Sequence, residues 1–202
     1  TLRGGDGNDA LYGDSYAWWA GNNGNGNDVL DGGNGDDTLN GASGQNAFFG
    51  GAGNDSVQDT LKNNVVLTDT TYTADGVVSN NHGVESFVIT GTDGNDSIDA
   101  SAWTGVGLTI NGGAGNDVIK GDAGNDTLVG GPGDDTIEGN AGDDFMVGDT
   151  NDSTYGTGND TLRGGDGNDA LYGDSYAWWA GNNGNGNDVL DGGNGDDTLN
   201  GA

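Results

Sequence analysis

The sequence predicts an all-β solenoid, a stack of short coils rather than a globule. Three observations carry that prediction. A nine-residue unit recurs along most of the chain. Units 112–120, 121–129, 130–138 and 139–147 are contiguous, and others open at Gly4, Gly32, Gly50, Gly91, Gly164 and Gly192. Residues 1–42 recur as 161–202 with every position identical. The composition leaves little for a large core: 45 of 202 residues are Gly and 34 are Leu, Ile, Val or Phe. Repetition at a short fixed period marks architectures in which each unit buries its apolar face against its neighbours.

Each unit divides into a turn and a strand. Glycine favours positions 1, 2 and 4, where a tight turn needs left-handed backbone angles. Position 6 is Asp in all ten units, and position 8 is apolar: Leu11, Leu39, Val57, Ile98, Ile119, Leu128, Ile137, Met146, Leu171 and Leu199. A period of nine fits neither a 3.6-residue helix nor strict alternation. It fits a six-residue turn followed by a three-residue strand that points one side chain inward. Two units then close one coil of about 18 residues.

Charge narrows the chemistry. The formal net charge is −29, with Lys and Arg totalling 4. Low apolar content with such a charge would ordinarily describe a disordered chain, but random acidity does not hold Asp at one phase of a repeat. Four basic residues do not neutralise a phosphate backbone, so nucleic acid is not an expected partner. No apolar run approaches the ~18 residues of a membrane span, so membrane insertion is not expected. Cysteine is absent, which removes disulfides and thiolate metal sites.

The units resemble the repeats-in-toxin (RTX) nonapeptide G-G-x-G-x-D-x-U-x, a calcium-binding repeat. The resemblance covers most of 1–58 and 91–202. It implies a right-handed parallel β-roll with calcium ions between adjacent coils, in a protein exported by type I secretion. The physical chemistry agrees. One apolar side chain per unit does not offset the ordering of nine residues, and stacked carboxylates repel. A hard cation with 6–8 oxygen ligands answers both. Magnesium resists dehydration, and zinc or copper prefers the His and Cys that are nearly missing.

The repeat spacing predicts which carboxylates meet, in two columns along the edges of the roll. Asp9 is expected against Asp37, Asp37 against Asp55, Asp96 against Asp117, and Asp117 against Asp135. Asp126 is expected against Asp144, Asp135 against Asp160, Asp144 against Asp169, Asp160 against Asp188, and Asp169 against Asp197. Asp28 falls opposite Asn46, a departure expected to weaken that site. These Asp residues are the expected metal ligands, for roughly ten calcium ions. Position 6 is expected to face the ion, and position 3 (Asp93 in one unit) to contribute backbone only.

The chain reads as one continuous solenoid over 1–202: repeats with an aromatic loop over 1–58, mostly calcium-free divergent coils over 59–111, and repeats again over 112–202; the alternative for the divergent stretch is a small β excursion that interrupts the roll. Long turns interrupt the period at 13–31, 148–163 and 173–191. In each, a second Gly-Asp pair offers a further oxygen: Asp14, Asp149 and Asp174. The first and third long turns carry Tyr16, Trp18 and Trp19, and Tyr176, Trp178 and Trp179. These rings either contact a glycan, cell surface or neighbouring chain, or fold back onto the flat face of the roll. Val65-Val66-Leu67, Ser86-Phe87-Val88-Ile89 and Leu108-Thr109-Ile110 read as strands. Ser79-Asn80-Asn81-His82-Gly83 reads as an exposed tip. His82 is the single histidine, so enzyme chemistry is not expected. Glycosylation sequons at Asn54 and Asn95 fall inside the metal turns and are discounted.

The expected function is a calcium-rigidified structural segment of a large extracellular repetitive protein: a fibre, an adhesin stalk or a surface-layer matrix. The expected partners are calcium and further copies of the same repeat. The alternative is the folding and secretion module of a type I-secreted toxin, protease or lipase. Both ends fall inside the repeat pattern. The array is therefore expected to continue, with Ser-Gly-Gln-Asn-Ala-Phe-Phe after Ala202, at an axial repeat of ~40 Å for about eight coils.

Overall fold

The computed structural model describes residues 1–13, 26–41, 45–60, 62–149, 158–174 and 186–201. Within them the chain alternates between two sheets and forms no helix. The larger sheet contains β1 (Leu2–Asp6), β3 (Val29–Asn34), β5 (Ala47–Ala52), β7 (Asn64–Thr68), β8 (Thr71–Ala74), β9 (Val77–His82), β11 (Ser97–Ala102), β13 (Val118–Lys120), β15 (Thr136–Ala141), β17 (Thr161–Asp166) and β19 (Val189–Asn194). The smaller contains β2 (Ala10–Tyr12), β4 (Thr38–Asn40), β6 (Ser56–Thr60), β10 (Ser86–Thr90), β12 (Leu108–Asn111), β14 (Thr127–Val129), β16 (Phe145–Val147), β18 (Ala170–Tyr172) and β20 (Thr198–Asn200). Apart from β7, β8 and β9, every pairing is parallel and joins equivalent positions of consecutive coils. This is the parallel β-roll that the nine-residue period predicts.

Register follows from burial. On the larger sheet Ile98, Ile119, Ile137, Leu162 and Leu190 form one ladder. On the smaller, Ile89, Ile110, Leu128, Met146 and Leu171 form another. Apart from Leu190, which is partly buried, all these side chains are enclosed in a single core between the sheets. A slip of one residue would turn each ladder outward. Slippage is therefore opposed by ~1.5–3 kcal/mol for each enclosed Leu or Ile. The identical segments adopt identical pairings: Leu2 with Leu30 and Leu162 with Leu190, Leu11 with Leu39 and Leu171 with Leu199.

The divergent stretch differs from expectation. Residues 64–82 are not a coil of the roll but an antiparallel excursion, with β8 paired to both β7 and β9. Asp75 (φ 50°) and Gly76 (φ 80°) form the two-residue turn between β8 and β9. Two positive φ angles suit the right-handed twist of a hairpin, and Asp-Gly supplies them cheaply. The expected tip at 79–83 lies mostly within β9, where Ser79 and Asn81 are buried. Its alternation of inward and outward side chains explains why a polar sequence forms a strand there.

The excursion keeps the larger sheet continuous, because β9 pairs with β5 and β7 pairs with β11. Three strands therefore face the single strand β10. Large side chains fill the added width. Tyr72 and Phe87 rings lie 5.6 Å apart, and Trp103 meets Phe87 edge-on at 5.3 Å. The Tyr72 hydroxyl donates to Asp59 Oδ2 at 2.9 Å, and Lys62 Nζ lies 3.5 Å from the other oxygen of Asp59. Among the described residues, no helix is long and apolar enough to cross a membrane.

Candidate metal centres

The turns that link the sheets place the position-6 aspartates in two columns. Turns leaving the larger sheet carry Asp9, Asp37, Asp55, Asp126, Asp144, Asp169 and Asp197. Turns leaving the smaller carry Asp28, Asn46, Asp96, Asp117, Asp135, Asp160 and Asp188. Most of the regular turns are tight because glycines at positions 2 and 4 take positive φ, as Gly113 (109°) and Gly115 (111°) do before Asp117. That curvature folds the carboxylate back over the glycine at position 1.

One hydrogen bond fixes each carboxylate against its neighbour. The backbone N–H at position 6 donates to the side-chain Oδ1 at position 6 of the next coil. The donor–acceptor distances are 2.7 Å for Asp117 to Asp135, 2.8 Å for Asp135 to Asp160 and 2.9 Å for Asp126 to Asp144. The same bond joins Asp9 to Asp37, Asp37 to Asp55, Asp96 to Asp117 and Asp144 to Asp169. It also joins Asp160 to Asp188 and Asp169 to Asp197, and Asp28 donates to Asn46 Oδ1 at 2.9 Å. The structure thus brings together every pair that the spacing selected.

The second oxygen is the chemically informative one. Oδ2 of Asp9, Asp28, Asp37, Asp55, Asp117, Asp135, Asp144, Asp160, Asp169 and Asp188 is buried and accepts no hydrogen bond. Buried polar atoms are nearly always paired, and a buried unpaired charge is far more costly than a neutral group. Each such oxygen overhangs a position-1 glycine, and at Gly4, Gly32, Gly50, Gly112, Gly139, Gly148 and Gly164 a glycine carbonyl from a neighbouring coil lies beside it. A Cβ on Gly112 would sit against Asp117 Oδ2 and 2.7 Å from the Gly130 carbonyl. A Cβ on Gly139 would meet Asp144 Oδ2 and lie 2.7 Å from the Gly164 carbonyl. The missing side chains leave cradles walled by carboxylate and carbonyl oxygen.

Burial sets the proton affinity of these groups. It pushes Asp135 up to about 8, with the charges of Asp160, Asp117 and Asp149 adding to it and the Asp117 N–H opposing. Asp144 and Asp160 are pushed up to about 7, and Asp117 to about 6, again chiefly by desolvation. Asp55 and Asp169 are raised for the same reason. Without a counter-charge, burial shifts each of these groups towards the protonated acid.

The donors fit a hard cation. The polar atoms nearest the position-1 glycines of these aspartates are carboxylate and carbonyl oxygens, the donor types that calcium prefers. Among the described residues, no three acidic or histidine side chains converge on one point. Most of a calcium coordination shell would therefore come from backbone carbonyls. His82 lies outside both columns, stacked on Phe49 with ring centroids 5.4 Å apart.

Several positions depart from the expected set. Asp197 is half-exposed at the last described turn. Asp96 and Asp126 are buried, but their Oδ2 atoms accept N–H groups from Thr92 and Asp122. Asp149 and Asp174 are buried with unpaired oxygens. Asp14 and the aromatic residues Tyr16, Trp18, Trp19, Tyr176, Trp178 and Trp179 lie outside the described residues.

Other participants escaped the repeat pattern. Glu85 Oε2 accepts the Asp55 N–H at 2.8 Å, and Ser79 Oγ accepts that of Asn46 at 2.9 Å. Both extend a column past its last repeat. Position 5 forms an exposed ladder of opposite polarity. Asp36 N donates back to Asn8 Oδ1 and Asn54 N to Asp36 Oδ1, both at 2.9 Å. The frequent Asn-Asp dipeptide at positions 5 and 6 was the available signal.

The profile of the RTX calcium-binding nonapeptide repeat (4 copies) matches residues 1–15, 22–57, 88–102, 109–137, 121–155, 156–175 and 184–202. The largest unmatched stretch, 58–87, contains the antiparallel excursion. No curated protein matches the chain.

Proposed function

The chain belongs to the RTX calcium-binding nonapeptide-repeat family, and we propose that this calcium-binding repeat module serves as a rigid structural segment of a large secreted repetitive protein. The ions would lie along the two columns, held by the position-6 aspartates and the neighbouring glycine carbonyls. Bound calcium supplies charge neutralisation and cross-links successive turns. The chain's own residues supply the rest: glycines that open the cradles, aspartates held in place by backbone N–H groups, and one apolar ladder on each sheet.

The observation that carries the structural reading is the junction inside the chain. The second copy of the duplicated segment begins with β17, and β17 pairs with β15 in register, Ile137 against Leu162. The end of one 160-residue unit therefore stacks on the start of the next as any two coils do. From β1 to β17 the larger sheet advances nine strands and the smaller seven. At ~4.8 Å per strand the unit spans ~34–43 Å, which brackets the ~40 Å expected from the sequence. Such a unit suits an extracellular fibre, adhesin stalk or surface-layer matrix, with other copies of itself as partners.

Mass and electron microscopy of the intact secreted product test this reading. Many copies of the 160-residue unit in one chain, with an axial period in that range, support it. One copy joined to a catalytic domain and an export signal would support a folding and secretion module instead.

A further inference from the structure

The turns fall into classes according to their second residue. Where it is Gly, as at Gly5, Gly33, Gly51, Gly113, Gly131 and Gly165, φ is positive. Asn140 occupies the same conformation at φ 83°. In these turns the position-6 Oδ2 is buried and unpaired: Asp9, Asp37, Asp55, Asp117, Asp135, Asp169 and Asp144. Gly193 (φ 95°) has the same conformation in the last described turn, where Asp197 is partly exposed and has no buried unpaired oxygen.

Two turns are built differently. Thr92 and Asp122 stand at position 2, and neither they nor the following Gly94 and Gly124 have positive φ. The backbone N–H at position 2 now points at the carboxylate. Thr92 N donates to Asp96 Oδ2 at 2.5 Å, and Asp122 N donates to Asp126 Oδ2 at 2.9 Å. Thr92 Oγ1 also lies 3.0 and 3.2 Å from the two Asp96 oxygens. Asp126 Oδ1 accepts the Leu108 N–H at 2.9 Å. Asp96 and Asp126 are as buried as the other aspartates, yet neither keeps an unpaired oxygen. The 121–126 turn has instead transferred its unpaired oxygen to Asp122, which is 2% exposed with Oδ2 unpaired.

An N–H group aimed at a carboxylate oxygen places the positive end of a dipole where a cation would otherwise bind. The oxygen is satisfied within its own turn, and the turn needs no ion. We propose that calcium is excluded where the N–H of the second residue closes on the position-6 Oδ2: 91–96 takes none, and 121–126 takes it through Asp122 rather than Asp126. Asp149 also stands at position 2 without positive φ, but its N–H donates to the Gly173 carbonyl and Asp160 Oδ2 stays unpaired. This rests on the calcium-binding reading of the module and refines which residues serve it. The turn at 91–96, beside the excursion, is then ion-free, closed by a threonine where the nonapeptide pattern has glycine.

Calcium counts per chain by equilibrium dialysis test the proposal, with circular dichroism in saturating calcium confirming the fold of each variant. Asp117→Asn should lose one ion. Asp96→Asn should keep the wild-type count, since its backbone N–H still donates to Asp117. Thr92→Gly should gain one ion, because the turn regains the freedom for positive φ. Asp122→Asn should lose one ion and Asp126→Asn none. Loss of an ion in Asp96→Asn, or no gain in Thr92→Gly, overturns the ion-free assignment. Loss in Asp126→Asn without loss in Asp122→Asn overturns the second assignment. A wild-type chain that binds no calcium would instead defeat the calcium reading itself.

Discussion

Replacing Asp135 with Asn should stabilise the calcium-free fold and weaken the calcium-bound one. Asp135 is buried between Asp117 and Asp160, and burial holds its carboxyl up at about 8. At pH 7.5 without calcium, the folded chain must keep that group protonated while the unfolded chain ionises it near 3.8. At ~1.36 kcal/mol per pH unit, the ceiling on this cost is ~5 kcal/mol. The effective dielectric of real protein sites reduces it to roughly 2–3 kcal/mol. Asparagine removes the cost and keeps the geometry. Its Oδ1 accepts the Asp117 N–H as Asp135 does at 2.7 Å, and Asn46 already fills this role beneath Asp28. With calcium the variant lacks one charged ligand, and the midpoint rises about tenfold for each ~1.4 kcal/mol lost. The assay is far-UV circular dichroism, in chelator with an osmolyte that populates the fold and in a calcium titration. More β structure in chelator together with a higher calcium midpoint is the expected result. Equal destabilisation under both conditions would refute the reasoning.

Acidity should act in the same direction as Asp135→Asn. Asp117, Asp144, Asp160 and Asp135 all have folded-state values raised above 3.8. The folded state therefore binds more protons than the unfolded between about pH 4 and 8, and calcium-free stability falls as pH rises through that window. A pH series in chelator should show β structure increasing from pH 8 to 5, while calcium affinity decreases; a flat series would contradict this. Gly112→Ala should cost one ion, because its Cβ enters the cradle of Asp117 without meeting a positive φ. Gly131→Ala, at φ 108° and against the Gly113 carbonyl, should instead lower stability by at least ~1–2 kcal/mol, as urea denaturation in saturating calcium would show. Tyr72→Phe should cost ~1–3 kcal/mol by leaving Asp59 Oδ2 unpaired, with no change in calcium count.

The repeat made much of this architecture legible. An 18-residue coil places Asp117 over Asp135 and Ile119 over Ile137 at once, so one period determines register, core and carboxylate pairing together. Longer turns change the sequence separation of a pair but not its place in the column. Asp135 and Asp160 are 25 residues apart yet bonded as closely as Asp117 and Asp135. The excursion was harder to read. Its alternation in Val65, Leu67, Tyr72 and Ala74 suits a coil strand as well as an antiparallel one, and only Asp75-Gly76 marks the hairpin. Glu85 was not legible because its longer side chain reaches a place in the column from outside the repeat phase. The closure of Asp96 was hidden for another reason. It depends on the backbone at Thr92, which replaces the glycine of position 2, and the pattern does not tell that the freed N–H turns onto the Asp96 carboxylate.

The central claim is that calcium completes a fold whose buried carboxylates are otherwise unmatched. It is tested most directly by following the far-UV circular dichroism of the chain from excess chelator into calcium at neutral pH, with magnesium in parallel. A largely unfolded chain is expected in chelator, with a cooperative gain of β structure on addition of calcium. Chelator should reverse the gain, and magnesium should not reproduce it. A full β spectrum that persists unchanged in excess chelator would contradict it.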